Sequence, residues 1–149
     1  MIEALYIAAK SGEPMQSVDS IELVAGKGIV GDRNFDCHVW PGQNLTFIEA
    51  EQVEAFNRRF NRDIRPIHMR RSVVTRGVDL NALETSRFFI GDVCLQGIEL
   101  CEPCKTLGDR LQTASMSPAQ VVKAWVKRGG LRCTVVTGGV IQLGQSLTL

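Results

Sequence analysis

Glycine falls at or beside the end of nearly every short apolar run in the second half of this chain. That punctuation limits the fold more than any other feature. Runs at residues 71–76, 88–90, 93–100, 132–137 and 140–149 are rich in Val, Ile, Leu, Phe and Thr. Turns at Gly77, Gly91-Asp92, Gly138-Gly139 and Gly144 separate or interrupt them, and Gly97 lies inside the third. Short runs of this composition between glycine turns are strands. Residues 2–8 and 18–24 add two more. Only two segments carry helical spacing. Residues 49–59 place Val53 and Phe56 on one face, with Glu49, Glu51 and Glu54 early and Arg58 and Arg59 late, as the helix dipole favours. Residues 118–127 follow an N-cap at Ser117 and a first-turn Pro118, and they stop at Gly129-Gly130. Val121, Val122, Trp125 and Val126 form the apolar side. The expected fold is mostly β, a closed or partly open antiparallel β-barrel with a few peripheral α-helices.

A length of 149 residues suits a single domain over residues 1–149 with a real core. Seventeen basic and sixteen acidic side chains leave a net charge of +1, which gives no support for a nucleic-acid surface. No stretch approaches the roughly 18 apolar residues of a membrane span. The start, Met1-Ile2-Glu3-Ala4-Leu5, has neither a basic region nor a long apolar one, so no secretory leader is expected. The five cysteines, Cys37, Cys94, Cys101, Cys104 and Cys133, are odd in number and unevenly spaced. That argues against a disulfide framework and for a cytoplasmic chain with reduced thiols.

The chemistry concentrates in Leu100-Cys101-Glu102-Pro103-Cys104-Lys105-Thr106-Leu107. Two thiols stand three positions apart, with a lysine directly after the second. A cysteine acts through its thiolate, which a nearby cation stabilises; Lys105 is adjacent, and Arg71 and Arg132 could join it. The spacing alone fits zinc half-sites, redox pairs, single reactive thiols and inert core cysteines. Structural zinc usually needs two such pairs, and there is no second one here. A thioredoxin-like site needs a helix start inside a βαβ unit, a context this pattern lacks. Gly26, Gly28 and Gly31 spell G-x-G-x-x-G, but no helical pattern follows, so a dinucleotide loop is rejected.

Six segments in order are similar to the MOSC domain family, the module at the C-terminus of molybdenum-cofactor sulfurases. They are Gly28-Ile29-Val30-Gly31-Asp32-Arg33, Asn44-Leu45-Thr46-Phe47-Ile48-Glu49-Ala50-Glu51, the stretch from Arg70-Arg71-Ser72 to Leu83, Phe89-Ile90-Gly91-Asp92-Val93, Leu100-Cys101-Glu102-Pro103-Cys104, and Gly130-Leu131-Arg132 through Gly138-Gly139-Val140-Ile141. The resemblance covers nearly the whole chain and suggests a minimal, stand-alone member, because no further segment follows Leu149. Where similar sequences often carry asparagine after the paired arginines, this chain has Ser72, which offers fewer hydrogen bonds.

The resemblance implies a β-rich protein that binds molybdenum cofactor (molybdopterin), or carries sulfur for it, through one cysteine. That cysteine maps to Cys104, as persulfide carrier or as metal ligand, with Cys101 an accessory thiol. Arg71, Lys105 and Arg132 are the expected cationic surround, and Ser72 lies beside Arg71. The turn at Asp32 and the ring of His38 are expected to form one rim of the pocket. If residues 71–76 are a strand, alternation sends Arg70 and Arg71 to opposite faces, and Arg71 is the one assigned to the cofactor phosphate. The expected partners are the cofactor or a sulfur-donor or sulfur-acceptor protein, with neither nucleic acid nor membrane. Two alternatives accompany this reading: a molybdenum-dependent reductase of N-hydroxylated compounds, and a non-catalytic β-barrel interaction module.

Overall fold

The structure is a computed structural model that describes all 149 residues. In chain order the strands are β1 (Ile2–Ile7), β2 (Gln16–Val18), β3 (Ser20–Val24), β4 (Gly28–Ile29), β5 (Leu45–Glu49), β6 (Val73–Thr75), β7 (Arg87–Ile90), β8 (Val93–Leu100), β9 (Leu131–Thr137), β10 (Gly139–Gln142) and β11 (Leu147–Thr148). The helices are α1 (Ala50–Phe60), α2 (Lys105–Leu111) and α3 (Pro118–Trp125), with single 3-10 turns at Pro66–Met69 and Asn81–Leu83. No helix is long and apolar enough to cross a membrane.

Eight strands make one sheet in the order β11-β7-β8-β9-β5-β6-β1-β2, and β10-β3-β4 make a second. The mostly-β expectation holds, but neither sheet closes into a barrel, and β11 and β2 remain edges of the larger one. Nor is that sheet wholly antiparallel, because β5 and β6 run parallel, Phe47 opposite Val73 and Ile48 opposite Val74. Helix α1 lies between them in the chain and makes the crossover that a parallel pair requires.

Closure is not needed, because both faces of the large sheet are covered without it. Along β5, Phe47 and Ile48 are both fully buried although they point to opposite faces. Phe47 belongs to a cluster with Leu5, Phe88, Leu95 and Leu131 that also takes Ile21, Leu23, Ile29 and Ile141 from the small sheet. Ile48 and Val74 belong to a second cluster, packed on Val53 and Phe56 of α1, Leu107 and Leu111 of α2, and Val121 and Trp125 of α3. Phe56 stacks on Trp125 with ring centroids 5.1 Å apart.

The sequence places α1 to within a residue and the start of α3 at Ser117-Pro118 correctly. Helix α3 ends at Trp125, short of the expected residue 127, and its start carries a Ser117–Gln120 capping box that the sequence reading does not include. Three strand expectations change. Residues 18–24 divide, with β2 ending at Val18 and β3 beginning at Ser20; residues 71–76 shorten to Val73–Thr75; and residues 140–149 divide into β10 and β11. Helix α2 is not anticipated. It is seven residues long and carries Gly108 at its centre, which lowers its intrinsic helicity. A Cβ at Gly108 would lie 2.8 Å from the Pro118 carbonyl oxygen, so the glycine lets α2 and α3 pack closely.

The turn from α3 into β9 depends on a second close approach. Gly130 has φ +105°, and a Cβ there would meet the Phe47 carbonyl oxygen at 1.9 Å. Gly130→Ala should therefore destabilise the fold by about 2 kcal/mol or more, combining backbone strain with a clash against a central strand. Urea denaturation monitored by circular dichroism checks this, and a midpoint matching wild type would contradict the account.

Candidate functional site

Strand β8 ends at Leu100, and the chain then runs through Cys101, Glu102 and Pro103 to Cys104, which occupies the N-cap position of α2 without a side-chain hydrogen bond into the helix. Pro103 cannot donate a ladder hydrogen bond and ends the sheet at this point. The result is two thiols in opposite environments. Cys101 is 1 % exposed, and its N–H donates to the Gly130 carbonyl at 2.8 Å. Cys104 is exposed. Burial pushes the Cys101 thiol up, with Arg71 and Arg132 pulling partly back. The Cys104 thiol is pushed down, chiefly by the Leu107 amide and then by the Thr106 amide and hydroxyl, with Arg71 adding a Coulombic contribution. A thiol at a helix start, met by amides and a cation, ionises more readily than a free cysteine, and the thiolate is the form that acts as nucleophile and soft ligand.

Arg71 is held in place by its Nε donating to the Gly129 carbonyl at 3.0 Å. Arg70 and Arg71 do not alternate on a strand, because β6 begins only at Val73 and Arg70 is in the left-handed region at φ 58°. Freed from alternation, both lie near Arg110 of α2. Burial pushes Arg110 down first, followed by repulsion from Arg70 and Arg71, while the Cys104 thiolate pulls it back up. Arg110 Nη1 donates to the His68 carbonyl at 3.0 Å, and Arg70 Nη2 to the Glu13 carbonyl at 2.8 Å. Arg71 and Arg110 thus stand beside the thiol, with Arg70 next to Arg110, and none of the three has an ion-pair partner.

The other sequence-assigned residues lie elsewhere. Lys105 extends into solvent and faces Asp109 at 3.6 Å, so the amides of Leu107 and Thr106 take the part expected of its charge. Asp32 is buried: Oδ1 accepts the Ala8 N–H at 3.0 Å and Arg33 at 3.2 Å, and Oδ2 accepts the Asn34 N–H at 3.1 Å. Arg33 in turn donates to the Arg70 carbonyl at 3.3 Å. Asp32 therefore anchors the turn that positions Arg70. His38 pairs with the exposed Asp36 at 2.8 Å and lines a separate hollow of about 250 Å³ with Trp40, Gly42 and Asn44. Arg132 bonds Glu99 at 3.0 Å, lies over the Trp40 ring at 5.4 Å, and acts on Cys101. Ser72 is buried beside Arg71, its N–H on the Thr46 carbonyl.

Arg110 is the site residue that the sequence reading leaves out. Leu107 and Leu111, four apart after Pro103, carry the signal of the short helix that would have placed it. No group of three His, Cys, Asp or Glu side chains is arranged to hold a metal ion. A metal bound at Cys104 would therefore bring most of its own ligands.

These features define a β-rich domain built around one exposed, acidified thiol beside unpaired arginines. The MOSC domain model matches residues 34–148, and the chain belongs to the MOSC domain family. No curated protein sequence matches the chain significantly. Among solved structures it is similar to YuaD from Bacillus subtilis, at 20 % identity and TM-score 0.84, covering 98 % of this chain and 92 % of that one. It is also similar to YiiM from Geobacillus stearothermophilus, at 14 % identity and TM-score 0.73, covering 100 % and 75 %. YiiM from Escherichia coli follows at 17 % identity and TM-score 0.67, covering 100 % and 69 %.

Alkylation with iodoacetamide and peptide mapping test the thiol assignment. Cys104 should react before the other four cysteines, with a pH midpoint below the value of about 8.5 for free cysteine. Its reactivity should fall as pH drops through the lowered value, because the thiolate is the reacting form. Cys101, Cys94 and Cys133 should be labelled only on unfolding. Protection of Cys104 in the native protein would contradict the assignment.

Proposed function

We propose that this protein binds molybdenum cofactor, or carries sulfur for it, through Cys104. The observation that carries the reading is an exposed thiol, acidified by amides and Arg71, among guanidiniums that have no carboxylate partner. The family is associated with molybdenum cofactor binding, and the donor set suits that group. Cys104 offers one soft thiolate for a soft metal centre, and the lack of any other ligating cluster fits a metal that arrives already held by an organic dithiolate. Arg71, Arg70 and Arg110 would hold the cofactor phosphate, since guanidinium recognises phosphate through paired hydrogen bonds. When bound, the cofactor supplies the molybdenum redox chemistry. The chain's own part is to present the thiolate, keep Arg71 beside it through Gly129, and neutralise an incoming anion.

The same geometry serves sulfur transfer. The Cys104 thiolate attacks the outer sulfur of a donor persulfide, the donor S–S bond breaks, and the donor leaves as thiolate while Cys104 becomes the persulfide. No net oxidation occurs, and the surrounding arginines stabilise the persulfide anion. Buried Cys101, whose thiol is held protonated, takes no direct part as a nucleophile at neutral pH.

Cys104→Ser should abolish bound molybdenum and persulfide while leaving the melting temperature near wild type, because serine is a hard and far weaker acid. Cys101→Ser should retain both. Arg71→Ala should weaken cofactor binding by roughly tenfold to a hundredfold, the worth of one charge-assisted hydrogen bond. Elemental analysis and intact mass on gently purified protein read all three. Molybdenum with turnover of an N-hydroxylated compound would select the reductase form of the reading, and persulfide without metal the carrier form. If neither appears in wild type, or both persist in Cys104→Ser, the reading fails.

A further inference from the structure

Residues 58–71 hold six arginines and one carboxylate, Asp63, in a chain whose net charge is only +1. The fold gathers most of these arginines on one face, where two grooves meet at Arg62. One, of about 480 Å³, is lined by Arg62, Arg65, His68, Arg70 and Arg110. The other, of about 440 Å³, is lined by Arg62, Arg59 and Lys123. No carboxylate lines either groove, Asp63 included. Every ion pair of the protein lies elsewhere, on Arg33, His38, Arg76, Lys105 or Arg132.

Four of the groove cations are nevertheless held in fixed places by neutral groups, while Arg65 and Lys123 are exposed. Arg59 lies over the Phe60 ring at 4.9 Å and Arg62 over the Phe56 ring at 5.5 Å. Arg62 Nη1 also approaches the Met116 sulfur at 3.7 Å. Arg70 and Arg110 are tied to main-chain carbonyls. Rings, thioether and carbonyls restrain a guanidinium without neutralising it. Like charges kept together and restrained in this way repel one another; Arg110 is lowered first by burial and then by repulsion from Arg70 and Arg71, and an anion placed among them relieves that repulsion.

Apolar side chains alternate with the charges: Met15, Ile64, Ile67 and Leu111 in the first groove, Phe60 and Met116 in the second. Nucleic acid fits this poorly, since it seeks exposed aromatic faces for stacking and Arg59 lies over the face of Phe60. A polypeptide alternating carboxylates with aliphatic side chains satisfies both components. We infer that the two grooves joined at Arg62 are a docking surface for an acidic, aliphatic-punctuated segment of a partner protein. Because Arg110 lines this surface and also lies beside the Cys104 thiol, a partner docked there sits near the thiol. The inference rests on Arg59, Arg62, Arg65 and Lys123, which the cofactor reading does not use, and so stands whether Cys104 holds metal, sulfur or neither.

Fluorescence anisotropy with the full chain tests it. The probe is a fluorescein-labelled peptide of about twelve residues alternating Glu with Leu, and its control has Gln at every Glu. The acidic peptide should bind at low salt and weaken steeply as salt rises past the range where the screening length falls below about 10 Å. Arg65→Gln and Lys123→Gln, both exposed and one in each groove, should each weaken binding several-fold, and together by roughly tenfold or more. Arg87→Gln, on the exposed side of β7, should change nothing. Melting temperatures near wild type for all variants confirm that folding is intact. Four results would each overturn the inference: no binding of the acidic peptide, equal binding of the Gln control, equal loss in Arg87→Gln, or tighter binding of single-stranded oligo-dT or inorganic polyphosphate at the same residues.

Discussion

Gly130 lies against the carbonyl of Phe47 in the middle of the large sheet, and the thiol region is built outward from that contact. The Gly130 carbonyl receives the N–H of Cys101, fixing where the chain leaves β8. The neighbouring Gly129 carbonyl receives Nε of Arg71, fixing the cation. Two adjacent peptide units therefore set the position of both the buried thiol and the guanidinium that acts on Cys104. Four residues after Cys101 the chain starts α2, whose Leu107 and Thr106 amides push the Cys104 thiol down. Side-chain bulk at this junction would separate β5, β9 and the Cys101 segment together.

The distribution of charge matters more than its total. With 17 basic and 16 acidic side chains the protein is close to neutral, yet none of its ion pairs involves the arginines around Arg110, and the one on α2, Lys105 with Asp109, is exposed to solvent. Arg76 bridges Glu3 and Glu54, Arg132 meets Glu99, and Arg33 meets Asp32. Arg70, Arg71, Arg110, Arg62 and Arg65 are left without carboxylates. Paired arginines brace the fold, and unpaired ones make a field that lowers the cost of an anion nearby. Asp32 belongs to the first group although it is close to the second: it is buried, fully bonded, and serves to orient Arg33 and through it Arg70.

The two cysteines of the C-x-x-C differ in environment, Cys101 buried and Cys104 exposed. Strand β8 delivers Cys101 into the interior near Cys133, whose thiol burial pushes up strongly. Proline then turns the chain so that Cys104 emerges at a helix start. A redox pair would need both thiols accessible to a common partner. Here one thiol is sealed and neutral while the other is presented, which suits a single carrier or ligand.

Periodicity and turn chemistry in the sequence were enough to establish a mostly-β fold, α1 and the capped start of α3, because those signals are local; that Cys104 rather than Cys101 is the exposed thiol of the pair follows from where β8 ends. The large sheet's openness was not legible. Whether strands close depends on what covers their faces, and the cover here comes from a three-stranded sheet and from helices distant in sequence. Arg71 could be picked out from its motif, but the reason it matters lies in Gly129, 58 positions away. Arg70 was set aside by a strand alternation that its left-handed backbone removes, and Arg110 was missed because α2 is short and glycine-interrupted. His38 and Lys105, adjacent to good motifs, turned out to face solvent acids. The sequence determined which residue types are available and which segments are strand or helix; only the tertiary structure decided which cations meet a carboxylate and which are left to meet a ligand. Pairing is a matter of distances between side chains far apart along the chain, and no local pattern encodes them.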